Sequence, residues 1–166
     1  SRAWAMMARD FIKDSDRATE VIYRHFAWLT ALRYQLRMEK SWETTYKSHN
    51  KEYKRLYRVP EHEIPIETEL SKYITKEELE SISTKKNKAV QLLGIQSDVL
   101  KELNNEGLLE DFRFLAMHNV LREFSAHQGK CERIKNFPYP RQYATINTFF
   151  VKLFCFLLPF AMLGEF

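Results

Sequence analysis

Histidine and cysteine side chains are the first candidates for chemistry in this chain, because both can bind zinc. His127 and Cys131 are four residues apart, which places them on one face of a helix, and His118 is further back. A zinc site needs three or four ligands, and no other candidate is near in the sequence. Ordinary helix surface is the preferred interpretation, so no metal site is predicted.

A second possible metal motif begins at His62 and Glu63, which start like the zinc-protease pattern of two histidines one turn apart. Ile66 occupies the position where the second histidine is needed. Pro65 would also break the helix that has to present both ligands. The zinc-protease interpretation is therefore rejected.

Other signatures of catalysis are missing from the sequence. It contains no Gly-rich phosphate loop, no Gly-x-Ser-x-Gly motif and no Cys-x-x-Cys pair, and it has only 4 glycines. One acidic group could form an acid pair or a cation site, but acids are also favoured in the first turn of any helix. This group consists of Glu77, Glu78 and Glu80. We predict neither an enzyme nor a cofactor.

Charge is distributed unevenly along the chain. Basic residues outnumber acidic ones by six in residues 1–58 and by three in 111–166, whereas acidic residues are in excess by five in 59–110. Aromatic and basic residues alternate between Trp28 and Arg58, a pattern that suits base stacking in RNA binding. Positive charge is equally expected next to the cytoplasmic side of a bilayer. A basic nucleic-acid-binding protein therefore remains an alternative.

The elements that position these residues are predicted to be helices. The chain of 166 residues has 45% apolar residues with only 4 glycines and 5 prolines, which favours one all-α unit over a turn-rich β fold. Apolar residues recur every three or four positions from Trp4 to Leu36, and a capping box begins at Thr75. Residues 89–105 and 108–128 are predicted to form two further helices, and Gly94 is a candidate interruption of the first. The second is apolar around much of its circumference.

The C-terminal segment differs from the rest. Between Ile146 and Leu163 the only charged residue is Lys152, so a transmembrane helix is predicted there. The alternative is a buried core helix, which would make the chain a soluble helical interaction module. Eighteen residues are near the lower limit for crossing a bilayer.

Two motifs ahead of and within this segment carry a resemblance to a known family. The first motif, residues 131–140, begins with Cys-Glu-Arg-Ile, continues with the polar pair Lys-Asn and a phenylalanine, and ends with Pro-Tyr-Pro. The second motif, residues 157–160, is Leu-Leu-Pro-Phe. This combination resembles the bestrophin family, specifically its bacterial branch. The likeness covers most of the chain, with only a loose match over residues 41–75.

The resemblance implies an all-α subunit of a homopentameric ion channel, in which a cytosolic helical bundle continues into a transmembrane helix. Residues 1–143 would form the cytosolic region and residues 144–166 the transmembrane helix, with further membrane helices before Ser1 and after Phe166. Ions, either anions or monovalent cations, would pass passively through a central pore. The full-length protein would be multi-pass in the inner (plasma) membrane, without cofactor or nucleic-acid partner.

The resemblance also assigns residues. Asp111 and Phe112 match the pair that forms the cytosolic aperture in bacterial relatives, with Phe112 as a hydrophobic gate; the alternative is that Phe112 is ordinary core. The structural elbow between cytosolic helix and membrane helix would consist of Cys131, Glu132, Arg133, Ile134, Pro138 and Pro140. The membrane-helix motif would consist of Leu157, Leu158, Pro159 and Phe160.

Overall fold

A computed structural model describes residues 1–40, 48–137 and 141–162 of the chain. Within these ranges the regular structure is entirely helical, which confirms the predicted all-α class. The elements are α1 (Arg2–Phe11), α2 (Ser15–Arg37), α3 (Ser48–Leu56), α4 (Pro60–Glu63), α5 (Ile66–Leu70), α6 (Lys76–Ser83), α7 (Lys88–Asn105), α8 (Asp111–Asn136) and α9 (Arg141–Met162).

Side-chain caps begin the helices that build the body. The Asp14 carboxylate accepts hydrogen bonds from the backbone N–H groups of Asp16 and Arg17, at 2.8 and 3.2 Å, and so satisfies free donors at the start of α2. Thr75 and Glu78 form the predicted capping box of α6. In each case a short polar side chain fixes where a helix begins.

The connection between α7 and α8 depends on one glycine. Gly107 has a φ of +72°, a conformation that glycine adopts without strain, and it follows Glu106, the C-cap of α7. The backbone N–H of Lys13 donates to the carbonyl of Leu108 at 3.1 Å, so this turn is tied to the α1–α2 connection. The helix before it, α7, runs through Gly94 without interruption, contrary to the break considered at that position.

The chain divides into two compact units, Ser1–Glu132 and Arg133–Phe166. In the first unit, α2 contacts α1, α5 and α7, and α7 also contacts α6. Its core is apolar and drawn from α1, α2 and α5 to α8; fully buried members include Trp4, Val21, Leu70, Ile82, Leu92, Leu100, Leu103 and Met117. The residues of this core all belong to the first unit.

The second unit contains α9. Its residues Thr145–Met162 form an 18-residue stretch with a mean hydropathy of 1.7, and none of this stretch is buried. Pro159 lies inside the helix near its C-terminal end. The helix begins at Arg141, and the positions after Met162 lie outside the described residues.

Candidate functional site

Helix α8 has one covered face and one bare face. We define the inner stripe as Met117, Leu121, Phe124 and Gln128, and the outer stripe as Phe112, Leu115, Asn119, Arg122 and Ala126. Both follow spacings of three and four residues, so each stripe runs along one side of the helix. The inner stripe packs into the core, whereas every outer-stripe residue is exposed, Phe112 by 89% and Leu115 by 55%.

The predicted aperture pair lies at the first turn of α8. The Asp111 carboxylate accepts a hydrogen bond from the Asn104 side-chain amide at 2.8 Å, and the same amide donates to the Leu109 carbonyl at 3.0 Å. The carboxylate is therefore held at a helix N-terminus, where negative charge is favoured. Phe112 follows it with its ring in solvent and contributes nothing to the core.

An aromatic cluster packs against Phe124 of the inner stripe. The Phe124 ring lies 5.2 Å from that of Trp28, 5.6 Å from that of Trp4 and 4.9 Å from the His25 imidazole, measured between ring centroids. Burial among these rings lowers the pKa of His25 to about 4. His25 is therefore neutral near pH 7.

Three amide groups converge on the carboxylate of Glu132. Its Oε1 accepts hydrogen bonds from the side chains of Gln128 at 2.7 Å, Asn87 at 3.0 Å and Gln35 at 3.0 Å. The Trp28 indole N–H donates to Gln128 at 2.9 Å, which extends the contacts into the core. We call this group the amide clamp. It joins α8 to α2 and to the N-cap of α7.

The amide clamp keeps Glu132 ionised. Partial burial of the carboxylate acts to raise its pKa, but the hydrogen bonds from Gln128, Asn87 and Gln35 outweigh this effect and hold the pKa below its usual range. None of the three donors was singled out from the sequence. The one available signal was the four-residue spacing of Gln128 and Glu132, which places both on one helix face.

The remaining elbow residues are exposed where they are described. Cys131 is a free, exposed thiol, Arg133 is exposed, and Ile134 is 78% exposed. Pro138 and Pro140 lie outside the described residues. Helix α8 ends at Asn136, two residues before this pair of prolines.

Comparison with known families decides the relationship. The family model described as "Bacterial/Fungal Bestrophin protein" matches residues 1–166. The chain belongs to the bacterial and fungal bestrophin family. The resemblance found at residues 131–140 and 157–160 is thereby confirmed.

Curated relatives of this bestrophin carry a functional name. This chain is 32% identical over 96 residues to the "Voltage-dependent anion channel-forming protein YneE" of Salmonella typhi, and it has the same identity to the protein of that name from Escherichia coli strain K12. The match covers 58% of this chain and 32% of each relative. The aligned part is thus about a third of the relatives' length.

Solved bestrophin structures share the fold. Two are crystal structures of a bacterial bestrophin homologue from Klebsiella pneumoniae, with TM-scores of 0.69 and 0.71 and sequence identities of 23% and 22%. Each match covers 99% of this chain and 52% of the solved chain. The shared fold therefore covers 99% of this chain, which corresponds to about half of the solved subunit.

The second bestrophin motif lies on α9. Leu157, Leu158 and Phe160 are 50%, 46% and 60% exposed, and Pro159 between them is exposed as well. An aliphatic and aromatic surface of this kind is suited to lipid or to other membrane helices.

The residues considered from the sequence as cation or zinc ligands are the acidic group with Glu78 and the histidine and cysteine residues of α8. Glu78 receives the Arg24 guanidinium at 2.6 Å and caps α6, so it is not free to bind a cation. In the described part of the chain, no group of three His, Cys, Asp or Glu side chains is arranged to hold a metal ion. His118, His127 and Cys131 are all exposed on α8.

Proposed function

We propose that the full-length protein is an anion channel, a homopentamer in which this chain supplies the cytosolic helical body and one membrane helix. The observation that carries the proposal is α9, a helix whose apolar stretch Thr145–Met162 is entirely exposed, in a chain of the bestrophin family. Anions are favoured over cations because the curated relatives are named for anion channel formation.

The membrane orientation follows from charge. The 22 residues of α9 extend over about 33 Å, enough for the hydrocarbon core of a bilayer. Arg133, Lys135 and Arg141 precede its apolar stretch, and basic residues next to a membrane helix favour the cytoplasmic side. Residues 1–143 are accordingly assigned to the cytosol and residues 144–166 to the inner membrane.

Phe112 is proposed as the cytosolic aperture. One exposed phenylalanine per subunit, repeated around a central axis, would form an apolar ring that impedes ions by expelling water. Asp111, fixed by Asn104, would place a ring of carboxylates beside it. The exposure of Phe112 supports this assignment, because a large apolar side chain that the described residues leave 89% exposed is suited to an assembly.

The aperture is tested by replacing Phe112 with alanine in the full-length protein. We expect Phe112→Ala to raise anion flux in liposomes severalfold, because the dewetted constriction is widened. Tyr57→Ala is the control, since Tyr57 is also an exposed aromatic residue, 58% exposed, but lies between α3 and α4. Unchanged flux in Phe112→Ala, or an equal rise in Tyr57→Ala, would remove Phe112 as the aperture.

The assembly and the competing functions are tested by mass and by binding. Native mass measurement of the detergent-solubilised full-length protein should give five subunits, and any other number contradicts the pentamer. A soluble interaction module would remain in solution without detergent, and that result would contradict the channel proposal. A nucleic-acid binder would bind RNA with a steep salt dependence, and we expect no such binding.

A further inference from the structure

A cavity of about 550 Å³ lies in the first unit, beside the C-terminal end of α2. The other walls come from α4, the start of α5 and the segment that leads into α7. We call it the α2–α4 cavity. Its volume is within the range of small-molecule binding sites in proteins, which is about 300–1,000 Å³.

Part of the lining of the α2–α4 cavity is apolar. Its apolar lining residues are Ala31, Met38, Ile64, Pro65 and Ile66. The Tyr34 hydroxyl donates to the Ile64 carbonyl at 3.1 Å, which fixes the α4–α5 connection against α2. This wall is therefore preformed, and a ligand with an apolar body can use it without ordering it first.

The acidic groups in the lining are already neutralised or engaged. Glu61 pairs with Arg33 at 2.8 Å, and Glu63 pairs with Arg58 at 2.7 Å, and both arginines lie outside the lining. Glu39, also in the lining, interacts with another residue as well. Because of these ion pairs, Glu61 and Glu63 contribute little net negative charge to the cavity.

The basic groups in the lining are less well matched. Among the residues that the structure describes, Arg37 and Lys86 form no ion pair, and Lys88 has a distant one, with its Nζ 3.8 Å from Glu67. Both Arg37 and Lys86 are exposed and free to turn towards a bound group. The cavity thus combines an apolar wall with unpaired positive charge.

We propose that the α2–α4 cavity binds an amphipathic carboxylate of small-molecule size. Its apolar body packs against Met38 and Ile64, and its carboxylate is held by Arg37 and Lys86. Gln35 also lines this cavity and donates to Glu132 in the amide clamp. A bound ligand therefore contacts one of the side chains that hold α8 in place.

Binding is tested by calorimetry on the full-length protein in lipid nanodiscs, with phenylbutyrate as the probe and its neutral amide for comparison. The wild type should bind the acid at least about fivefold more tightly than the amide, because a carboxylate gains charge-assisted hydrogen bonds. The double variant Arg37→Gln/Lys86→Gln should weaken binding of the acid by at least about fivefold and leave binding of the amide nearly unchanged.

The matched control is Lys85→Gln/Lys101→Gln, which removes the same two charges from exposed positions outside the lining. It should change the affinity for phenylbutyrate by less than about twofold. The proposal is overturned if the wild type does not bind phenylbutyrate, if it binds acid and amide equally, or if the control weakens binding as much as the cavity variant. Binding is measured without ion flux, so this outcome is independent of the proposed channel function.

Discussion

The inner and outer stripes of α8 carry similar numbers of apolar residues, but these residues are buried or half-buried on the inner stripe and exposed on the outer one. The inner stripe packs into the hydrophobic core and the aromatic cluster, and its Met117 is 0% exposed. The outer stripe starts with Phe112, 89% exposed, and continues with Leu115, 55% exposed. Helix α8 is therefore stabilised by one face and leaves the other available.

Helix α8 can serve two purposes. A helix that is apolar on several sides is typical of one that meets more neighbours than its own chain provides. The inner stripe is held by packing and by the amide clamp, so the outer stripe does not need to contribute to folding. Substitutions on the two faces should consequently affect different properties of the protein.

The largest effect is expected from Met117→Ala on the inner stripe. Truncating a fully buried methionine removes apolar contacts and leaves a cavity, which lowers the free energy of unfolding by about 2–5 kcal/mol. Urea unfolding of the full-length protein in detergent, followed by circular dichroism, measures this loss. The control is Met6→Ala, because Met6 is 57% exposed on α1 and should lose less than about 0.5 kcal/mol.

Equal losses at Met6 and Met117 would contradict the contrast between covered and bare positions.

The second effect depends on pH and concerns His25, whose ring packs against Phe124. Its pKa in the folded state is about 4, below the ordinary value of 6.5, because burial disfavours the charged ring. The neutral ring is therefore favoured by folding. Its contribution is fully present above pH 6.5 and is lost as the pH falls from 6.5 towards 4, by at most roughly 3 kcal/mol.

Thermal unfolding of wild type and His25→Phe between pH 7 and 4 measures this contribution. The phenylalanine variant, which keeps a ring in the cluster, should show a smaller decrease in Tm over this interval. Parallel pH profiles of the two proteins would show that His25 does not govern the loss.

The third effect concerns the amide clamp. We expect Glu132→Gln to lower the free energy of unfolding by about 1–3 kcal/mol, because a neutral amide accepts more weakly than a carboxylate and brings its own donors towards Gln35, Asn87 and Gln128. Glu123→Gln is the control, since Glu123 is exposed on the same helix. Urea unfolding that gives the same value for both variants would mean that the amide clamp adds no stability.

Much of the fold could be predicted from local sequence. The capping box at Thr75, the Asp14 cap and the glycine after α7 each act over a few residues, so their patterns are visible in the sequence. The family followed from two motifs, residues 131–140 and 157–160, and was confirmed. Local signals of this kind need no knowledge of tertiary packing.

The amide clamp could not be predicted in the same way. Gln35 and Asn87 are 97 and 45 residues from Glu132 in the sequence, and only the packing of α2 and α7 against α8 brings them together. Isolated polar residues of this type are usually found on the surface, so composition indicated nothing unusual. The exposure of Phe112 is likewise a consequence of which face of α8 the core covers.

The smallest effect on stability, and the sharpest contrast with Met117, is expected from Leu115→Ala on the outer stripe. Leu115 is 55% exposed, so its truncation should change the free energy of unfolding by less than about 0.5 kcal/mol. It lies three residues after Phe112, about 4.5 Å further along the same face, so in the proposed pore it would form the next apolar ring. Leu115→Ala should therefore raise anion flux in liposomes, by less than Phe112→Ala does, while stability is unchanged.

Val90→Ala is the control for this measurement, because Val90 is 46% exposed but lies on α7. It should change neither unfolding nor flux. A rise in flux for Val90→Ala equal to that for Leu115→Ala would mean that exposed apolar residues affect flux wherever they lie. A large loss of stability for Leu115→Ala would mean instead that the outer stripe holds the subunits together, since only coverage by neighbouring chains could make an exposed leucine matter for folding.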